Sequence, residues 1–287
     1  AKIISSSKTM ANMFEEACSK TNDSKLVANW LVGDVSALLN SDNIDIEESK
    51  LSSNNFAILI ERISDKTISG KIAKTIFELM MDGDKDPQTI VEALTHIRAG
   101  GVIAFPIENS YVFAADAFNR SAVESLHLIR DDPEDQAASV MVPSIISVRG
   151  LTSSLSEEAL ILAENFWPGK LFLQLKANRS LTWDLGDGGS LNQFMVRVPN
   201  NEFALALLRE TGPLAVANAG LSGRPALREP GEINEVFGSV INLICDHGAL
   251  DLALGSTVVD ATAFPHRIVR EGEVTNTQLR ALCPTLV

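Results

Sequence analysis

Hydrophobic residues follow two different periods along this chain, one before residue 100 and another beyond it. The first part carries apolar residues three and four positions apart, as at Met10, Met13 and Ala17, which is typical of amphipathic helices. Beyond Gly100, short apolar runs alternate with helical stripes. The pattern predicts an all-helical region followed by an α/β region, with the boundary within 84–100.

Five helices are predicted in the first part. Their apolar stripes run through Met10–Cys18, Val27–Leu39, Phe56–Ile63, Ile72–Met80 and Ile90–Ile97. The fourth helix is expected to stop at Gly83. Asp86 can cap the fifth helix, and Pro87 suits its first turn because proline lacks the N–H that this position leaves unused. Core packing explains every one of these stripes.

The second part opens with a short buried strand and a polar loop. Val102 to Phe105 form an apolar run between two glycines and Pro106, too short and too β-branched for a helix. Glu108, Asn109, Ser110 and Tyr111 follow. Such a loop at the carboxyl end of a strand is where open α/β sheets bind ligands, although a surface turn with a half-buried tyrosine fits the local pattern equally well.

Further strands and helices alternate to the end of the chain. Predicted strands are 139–142, 171–175, 195–198, 214–217, 256–260 and 267–270, and predicted helices are 121–129, 156–166 and 202–211. A helix end followed by a strand is expected within 236–244. This alternation favours an α/β fold.

Composition limits the classes of function. The net charge of −13 argues against a broad nucleic-acid surface, although a local basic groove remains compatible with it. The three cysteines show neither zinc-site nor disulfide spacing, so reduced thiols in a cytoplasmic protein are expected, with no metal site. No apolar run approaches the roughly 20 residues of a membrane span, so no membrane partner is predicted.

The helical region resembles a known domain. Its motifs are similar to the GatB/YqeY tail domain of the tRNA-dependent amidotransferase B subunit: Ala28-Asn-Trp-Leu31, Ser36-Ala-Leu-Leu-Asn40, Ile46-Glu-Glu-Ser49, Thr67-Ile-Ser-Gly-Lys-Ile-Ala-Lys74 and Lys85-Asp-Pro87. The resemblance implies a region that helps to hold tRNA, and it fades after Val91. The predicted domains are a helical region, 1–88, and an α/β domain, 89–287.

The α/β region resembles the YrdC-like threonylcarbamoyl-AMP synthase family over about residues 90–283. The motifs that carry the resemblance occur in family order: Gly100-Gly-Val-Ile-Ala-Phe-Pro106, Ala115-Asp-Ala-Phe118, Phe166-Trp-Pro-Gly169, Trp183-Asp-Leu-Gly-Asp187, Val196-Arg-Val-Pro199, Ser222-Gly-Arg-Pro225 and Gly255-Ser-Thr-Val-Val-Asp260. The resemblance implies a twisted α/β sheet around a large cavity.

It also implies an activity and a ligand set. Family members join threonine, bicarbonate and ATP, supplied with Mg²⁺ as substrate, into threonylcarbamoyl-AMP for tRNA modification, and they release pyrophosphate. The binding residues implied here are Asn109, Tyr111, Arg130, Arg197, Asn218, Ser222, Ser256, Thr257 and Arg270. Among them, Arg130 would hold a carboxylate or carbamate, Arg197 and Arg270 the phosphates, and Tyr111 would wall the pocket. No catalytic residue is assigned.

Several positions depart from the family pattern. Ile107 and Asn109 stand where the family's first loop has threonines, and the family's Lys-x-Arg reads Arg130-Asp131-Asp132. Acids beside Arg130 are expected to oppose anion binding, so ATP binding should be weak and turnover slow or absent. Three hypotheses stay open: a divergent synthase, a non-catalytic nucleotide- or RNA-binding relative, and an assembly module that docks on tRNA or a tRNA-pathway protein such as the amidotransferase.

Overall fold

The computed structural model describes residues 4–82, 86–189, 192–241 and 243–287. The chain divides into two compact units, Ala1–Glu92 and Ala93–Val287. We call them the helical unit and the α/β unit. The domain limits drawn from the sequence, 1–88 and 89–287, stay a prediction.

The helical unit contains no strand among its described residues. Its helices are α1 (Lys8–Lys20), α2 (Ser24–Trp30), α3 (Ser36–Asp42), α4 (Ser53–Ser64), α5 (Gly70–Asp82) and the start of α6 (Pro87–Arg98), with a π-helical turn, Leu31–Val35, between α2 and α3. Ser7, Asp23 and Ser52 each accept a hydrogen bond from a backbone N–H of the helix that follows. The stop predicted at Gly83 lies outside the described residues.

The apolar stripes of the helical unit form its core, as predicted. Met13, Val27 and Phe56 are fully buried, and Trp30 packs edge-to-face on Phe77 with ring centroids 5.9 Å apart. Since these side chains carry no charge, the core of this unit is held by apolar packing.

Helix α6 ends where its two following glycines predict. Gly100 has a φ of +82°, a left-handed conformation that favours glycine. The N–H groups of Gly100 and Gly101 donate to the carbonyls of Ile97 and His96, at 2.9 and 2.8 Å. These bonds satisfy the end of the helix and direct the chain into the first strand.

The described residues of the α/β unit form a nine-stranded mixed sheet with helices, which confirms the predicted fold class. The strands are β1 (Ile103–Pro106), β2 (Tyr111–Asp116), β3 (Ser139–Met141), β4 (Leu171–Lys176), β5 (Gln193–Arg197), β6 (Leu214–Asn218), β7 (Leu243–Ile244), β8 (Thr257–Asp260) and β9 (Arg267–Arg270). The helices after α6 are α7 (Arg120–Arg130), α8 (Ile145–Leu151), α9 (Glu157–Phe166), α10 (Glu202–Thr211), α11 (Pro230–Phe237) and α12 (Asn276–Leu282).

The strand order across the sheet is β7-β1-β2-β6-β3-β5-β4-β8-β9. Antiparallel hairpins and parallel pairs both occur: β1 pairs with β2 in antiparallel register, whereas β4 pairs with β8 in parallel register. One apolar cluster lies around β4 and β5, and another around β1 and β2. The sheet thereby brings chain segments more than a hundred residues apart to one cavity.

The sequence pattern misses one central strand and two helices. It predicts a loop over Glu108–Tyr111, but Tyr111 begins β2 and pairs with Pro106 of β1. The polar residues form only the hairpin turn, and the apolar run behind Tyr111 is buried in the sheet. Helices α8 and α12 are also missed; they have seven residues each, too few for a clear helical period.

Two further sequence expectations concern the cysteines and the membrane. Cys18, Cys245 and Cys283 are free thiols, and the last two are buried. Among the described residues, no helix is both long and apolar enough to cross a membrane.

Candidate functional site

A cavity of about 900 Å³ opens within the α/β unit. The β1–β2 turn, the end of α7, strands β5 and β6, and the segments 225–232, 252–256 and 270–272 contribute to its wall. Apolar side chains, among them Phe172 and Met195, line it together with arginines, carboxylates and hydroxyls. A concave surface with a few convergent polar groups is typical of a small-molecule site.

Six of the nine sequence-predicted binding residues line this cavity. They are Asn109, Arg130, Arg197, Asn218, Ser256 and Arg270. Tyr111, Ser222 and Thr257 do not belong to its lining. These three side chains therefore lie outside the lining of this cavity, and the binding roles of all nine residues stay a prediction.

Tyr111 and Thr257 are engaged elsewhere for clear physical reasons. Both are strand residues whose side chains point into the protein and are fully buried. Tyr111 Oη donates to the Gly248 carbonyl at 2.9 Å and accepts from the His247 N–H at 3.0 Å. Thr257 Oγ1 donates to the Val274 carbonyl at 2.6 Å. Both hydroxyls hold chain segments together, because a buried hydroxyl needs such partners.

Arg197 is buried and paired with a carboxylate of the chain itself. Its Nη1 and Nη2 donate to Glu108 Oε1 and Oε2, at 3.1 and 2.9 Å, and its guanidinium lies 5.2 Å from the centre of the Phe172 ring. Burial raises the pKa of Glu108, but the charge of Arg197 and the Asn200 N–H outweigh burial and hold that pKa below its usual range. Both groups are therefore ionised, and the pair as a whole carries no net charge.

Arg130 is held in the same way at the end of α7. Its Nε and Nη2 donate to Asp132 Oδ2 and Oδ1, at 2.9 and 3.1 Å. Nη1 donates to the carbonyls of Asn218 and Gly220. The sequence predicts that Asp132, beside Arg130, opposes anion binding. In the structure, Asp132 accepts two hydrogen bonds from the Arg130 guanidinium and so takes the position of a bound anion.

Asp132 collects donors from other elements as well. His127 Nδ1 lies 2.9 Å from Asp132 Oδ2, and Gln136 Nε2 donates to Oδ1 at 3.2 Å. Burial raises the pKa of Asp132, but hydrogen bonds from Arg130, Ser222 and His127 outweigh it and lower the pKa overall. Ser222 thus contributes to the site indirectly, through this carboxylate.

One wall of the cavity is a loop without regular structure, residues 246–255. Besides Tyr111, three side chains donate to its carbonyls. Arg228 Nη1 donates to Leu250 at 3.0 Å, Asn109 Nδ2 to Ala253 at 3.1 Å, and Lys170 Nζ to Leu254 at 3.4 Å. Asn109, predicted to contact ligand, therefore also anchors this loop. Leu252 and Leu254 line the cavity and remain largely exposed to solvent.

Two arginines on the cavity wall form no ion pair among the described residues. Within the described residues, Arg228 and Arg270 donate to backbone carbonyls, those of Leu250 and Ser256, and neither pairs with a carboxylate. Glu232 also lines the cavity. Sequence reasoning overlooked His127 and Arg228. For His127, its position three residues before Arg130 on one helix was the available signal, since such residues share a helix face.

Two family models match the chain in separate regions. The Sua5/YciO/YrdC model, described as telomere recombination, matches residues 95–272. The GatB domain model matches residues 12–99. The two matches overlap at the end of α6.

Curated relatives divide in the same way. A Mycobacterium tuberculosis protein, whose name provisionally assigns it to the threonylcarbamoyl-AMP synthases, is 34% identical over 198 residues, covering 69% of this chain and 90% of its own. The threonylcarbamoyl-AMP synthase of Bacillus subtilis is 32% identical over 69% of this chain and 57% of its own. The aspartyl/glutamyl-tRNA(Asn/Gln) amidotransferase B subunit of Pelagibacter ubique is 53% identical over 95 residues, which are 32% of this chain and 19% of that protein.

Solved structures agree for the α/β unit. Sua5 of Pyrococcus abyssi, solved in complex with L-threonine, superposes with a TM-score of 0.64 at 29% identity, over 69% of this chain and 58% of that one. Escherichia coli YciO superposes with a TM-score of 0.60 at 26% identity, over 67% of this chain and 92% of that one.

Proposed function

The chain belongs to the Sua5/YciO/YrdC family, and from this we propose that it is a divergent threonylcarbamoyl-AMP synthase-like protein that binds its substrates weakly and turns over slowly or not at all. One observation carries the proposal: the two buried arginines of the cavity, Arg130 and Arg197, are each bound to a carboxylate of the chain. A guanidinium already engaged by two carboxylate oxygens has little capacity left for a substrate anion.

The family reaction needs positive charge at two places. Threonine's amine captures carbon dioxide as a carbamate, and a carbamate oxygen then attacks the α-phosphate of ATP and expels pyrophosphate. Charge develops on phosphate oxygens in this step, so fixed cations or Mg²⁺ accompanying ATP must stabilise it. In this cavity, Arg130 and Arg197 are neutralised in place, which lowers the electrostatic stabilisation available to the step.

The remaining cations set where an anion can bind. Arg228 and Arg270 lie on the cavity wall without a described carboxylate partner, and Asn218 and Ser256 add polar groups there. We place the phosphates of ATP against Arg270 and the amino acid toward Arg228. Binding at two exposed or half-buried arginines is weaker than binding at buried, bidentate ones, because water competes for them.

The helical unit bears on which macromolecule the chain contacts. Its similarity to the B subunit of the tRNA-dependent amidotransferase supports a role in contacting tRNA or a tRNA-pathway protein. Threonylcarbamoyl-AMP, ATP and tRNA are all used in the cytoplasm, which is where we place this chain.

The test measures pyrophosphate release and binding separately. The full chain is incubated with threonine, bicarbonate, ATP and Mg²⁺, with the Bacillus subtilis enzyme as the positive control under the same conditions. We expect a rate at least about a hundredfold below that control, since losing two charge-assisted contacts at about 1.5–3 kcal/mol each exceeds two factors of ten. A rate equal to the control would contradict the proposal.

A matched variant tests the cause. Asp132→Asn keeps the shape of the side chain and removes its charge, so Arg130 should become available and ATP or threonine should bind more tightly than to the unchanged chain. Isothermal titration calorimetry measures both ligands. Unchanged affinity in a folded Asp132→Asn variant would show that the Arg130–Asp132 pair does not limit binding.

A second candidate is a binding protein without turnover. The double neutralisation of Arg130 and Arg197 favours it over an active enzyme. The same experiment separates the two. ATP binding with no pyrophosphate release, in the unchanged chain and in Asp132→Asn alike, identifies a nucleotide-binding relative, whereas slow pyrophosphate release identifies a divergent synthase.

A further inference from the structure

A serine and a histidine lie within hydrogen-bond distance at the start of α9, and neither belongs to the lining of the cavity. Ser156 Oγ lies 2.6 Å from His266 Nε2. Ser156 is exposed to solvent, whereas His266 is buried, with only 2% of its surface exposed. The pair is therefore accessible at its hydroxyl and closed around its ring.

The second ring nitrogen fixes the direction of this hydrogen bond. His266 Nδ1 lies 2.7 Å from the Ala263 carbonyl oxygen, which can only accept. In the neutral ring Nδ1 therefore carries the proton, and Nε2 presents a lone pair to which the Ser156 hydroxyl donates. A hydroxyl that donates to an imidazole, while a third group holds the other ring nitrogen, has the arrangement of an activated nucleophile.

Helix capping explains only part of this geometry. Ser156 Oγ accepts from the Ala159 N–H at 3.1 Å and so caps α9. Ser52 caps α4 in the same way, at 3.1 Å from the Asn55 N–H, and its hydroxyl has no histidine hydrogen-bond partner in the described part of the chain. The base beside Ser156 is therefore an addition that the cap itself does not need.

The backbone after Ser156 can stabilise negative charge on a reacting carbonyl group. Glu157 and Glu158 are the first residues of α9, so their N–H groups have no carbonyl within the helix to donate to. The N–H of the residue that follows a nucleophilic serine is a common donor to the oxyanion formed in acyl transfer. The carboxylates of Glu157 and Glu158 repel an anionic acyl group, so this site favours a neutral one.

Phe264 adds an apolar surface beside the pair. The residue is 70% exposed, and its ring centre lies 6.1 Å from that of His266 in an edge-to-face arrangement. A phenylalanine with so much surface in solvent contributes little to the core. Its position suits contact with the apolar part of a group attached to Ser156.

We propose that Ser156 is an acyl-acceptor site for neutral apolar esters, with His266 as its general base. Ser156 Oγ attacks the carbonyl carbon of the ester, and the hydroxyl proton moves to His266 Nε2. The bond between this carbon and the leaving oxygen then breaks, the leaving oxygen takes the proton from His266, and Ser156 remains as an ester. This reaction uses no residue of the cavity and is independent of the proposed synthase function.

Acylation by para-nitrophenyl butyrate tests the proposal in the full chain. Tandem mass spectrometry of proteolytic peptides locates the butyryl groups, and nitrophenolate release also counts those that are lost again to water. Ser52 is the control for capping, and Ser154, an exposed serine two positions before Ser156, is the control for exposure. We expect Ser156 to react at least about tenfold faster than either. Equal rates at the three serines, or neither a butyryl group on Ser156 nor nitrophenolate release that Ser156→Asn abolishes, overturn the proposal.

Variants test the base and the class of ester. His266→Gln should slow the acylation of Ser156 about a hundredfold, because it removes the proton acceptor, and Ser156→Asn should abolish it while keeping a capping side chain. Urea unfolding verifies that both variants are folded. An undiminished rate in folded His266→Gln overturns the role of the base.

Phe264→Ala changes a surface residue and gives a second test that does not depend on the buried ring. We expect it to slow the reaction with the butyrate ester about fourfold and to leave the reaction with the acetate ester unchanged, since the longer acyl chain covers Phe264. The hemisuccinate ester has the same leaving group and an anionic acyl chain, so it should react more slowly than the butyrate ester. Equal rates for the neutral and the anionic ester, or an equal effect of Phe264→Ala on butyrate and acetate, overturn the ligand class.

Discussion

The helical unit and the α/β unit differ in how exposed their ion pairs are to solvent. In the helical unit, the Lys74–Asp34 pair lies in solvent, with the lysine side chain 62% exposed. In the α/β unit, the side chains of Arg197 and Arg130 are 1% and 8% exposed, and each is bound to a carboxylate that is itself largely buried. Among the ion pairs of the described residues, the buried ones therefore lie in the α/β unit.

This difference shows which interactions the two folds depend on. A helical core of apolar stripes is stable with its charges in water, where ion pairs contribute little. A cavity wall built on buried arginines needs their partners, because an uncompensated buried charge costs several kcal/mol. Substitutions at charged positions should thus have small effects in the helical unit and large ones around the cavity.

The largest expected effect comes from breaking the Arg197–Glu108 pair. Glu108→Gln keeps the side chain's size but leaves Arg197 buried without its counter-charge, which should lower the free energy of unfolding of the α/β unit by about 3–5 kcal/mol. Urea unfolding followed by tryptophan fluorescence in a Trp30→Phe background reports this unit through Trp167 and Trp183.

The matched control is Asp34→Asn, which removes the partner of the exposed Lys74. We expect no measurable change for this variant when urea unfolding of the helical unit is followed through Trp30 in a Trp167→Phe, Trp183→Phe background. If Glu108→Gln and Asp34→Asn lowered the free energy of unfolding equally, buried and exposed ion pairs would not differ in their contribution to stability.

The next effect concerns the close packing of Gly186 against His127. Gly186→Ala introduces both a left-handed alanine and a contact at 2.3 Å with the ring, and we expect a loss of about 1–3 kcal/mol. Gly188→Ala is the control: its φ is also positive, at +68°, but nothing lies within 4 Å of the added Cβ. The difference between the two variants in urea unfolding measures the clash alone, and a zero difference would mean that the segment yields.

Acid should weaken the α/β unit through the same carboxylates. The folded pKa values of Asp132 and Glu108 lie below their unfolded values, so their contribution to stability is present above pH ~4.3 and is lost as the pH falls through the folded pKa values. Burial raises the pKa of Asp65 in the helical unit, but hydrogen bonds from Thr67 and the charge of Arg62 lower it overall; this carboxylate is more exposed and more screened.

We therefore expect the stability of the α/β unit to decline more steeply between pH 5 and pH 3 than that of the helical unit. Unfolding free energies at several pH values measure the slope, and the Glu108→Gln variant should show a shallower one. A slope unaffected by that substitution would contradict the assignment.

The smallest effects should be equal in the two units, because helix caps act locally. Ser52 caps α4, and Thr275 caps α12 in a reciprocal arrangement with Gln278. Ser52→Ala and Thr275→Ala should each cost about 1 kcal/mol, measured by urea unfolding. A markedly larger loss for Thr275 would show that buried partners, rather than the cap, dominate at that end of the chain.

Local patterns were sufficient for most helices and most strands. Stripes through Met13 and Phe56, and the stop at Gly100, depend on neighbours within a few residues, so the sequence predicts them well. Strand β2 was not predicted, because the polar turn before it dominated the local pattern. Its first residue, Tyr111, pairs with Pro106 of β1.

The sequence indicated part of the cavity wall but not its ion pairs. Motif resemblance brought Arg130, Arg197 and Arg270 to one cavity. The Arg197–Glu108 pair joins residues 89 positions apart, and no local pattern indicates it. Asp132 was noticed as a negative charge beside Arg130, but its role as the acceptor for His127 and Gln136 depends on the fold.

The four donors gathered on Asp132 constrain how this sequence can change over evolutionary time. Restoring a cation at position 132 alone would place it between Arg130 and His127, and it would leave Gln136 and Ser222 without their acceptor. A cation there would need compensating substitutions at the partners of Asp132, so the order of substitutions matters.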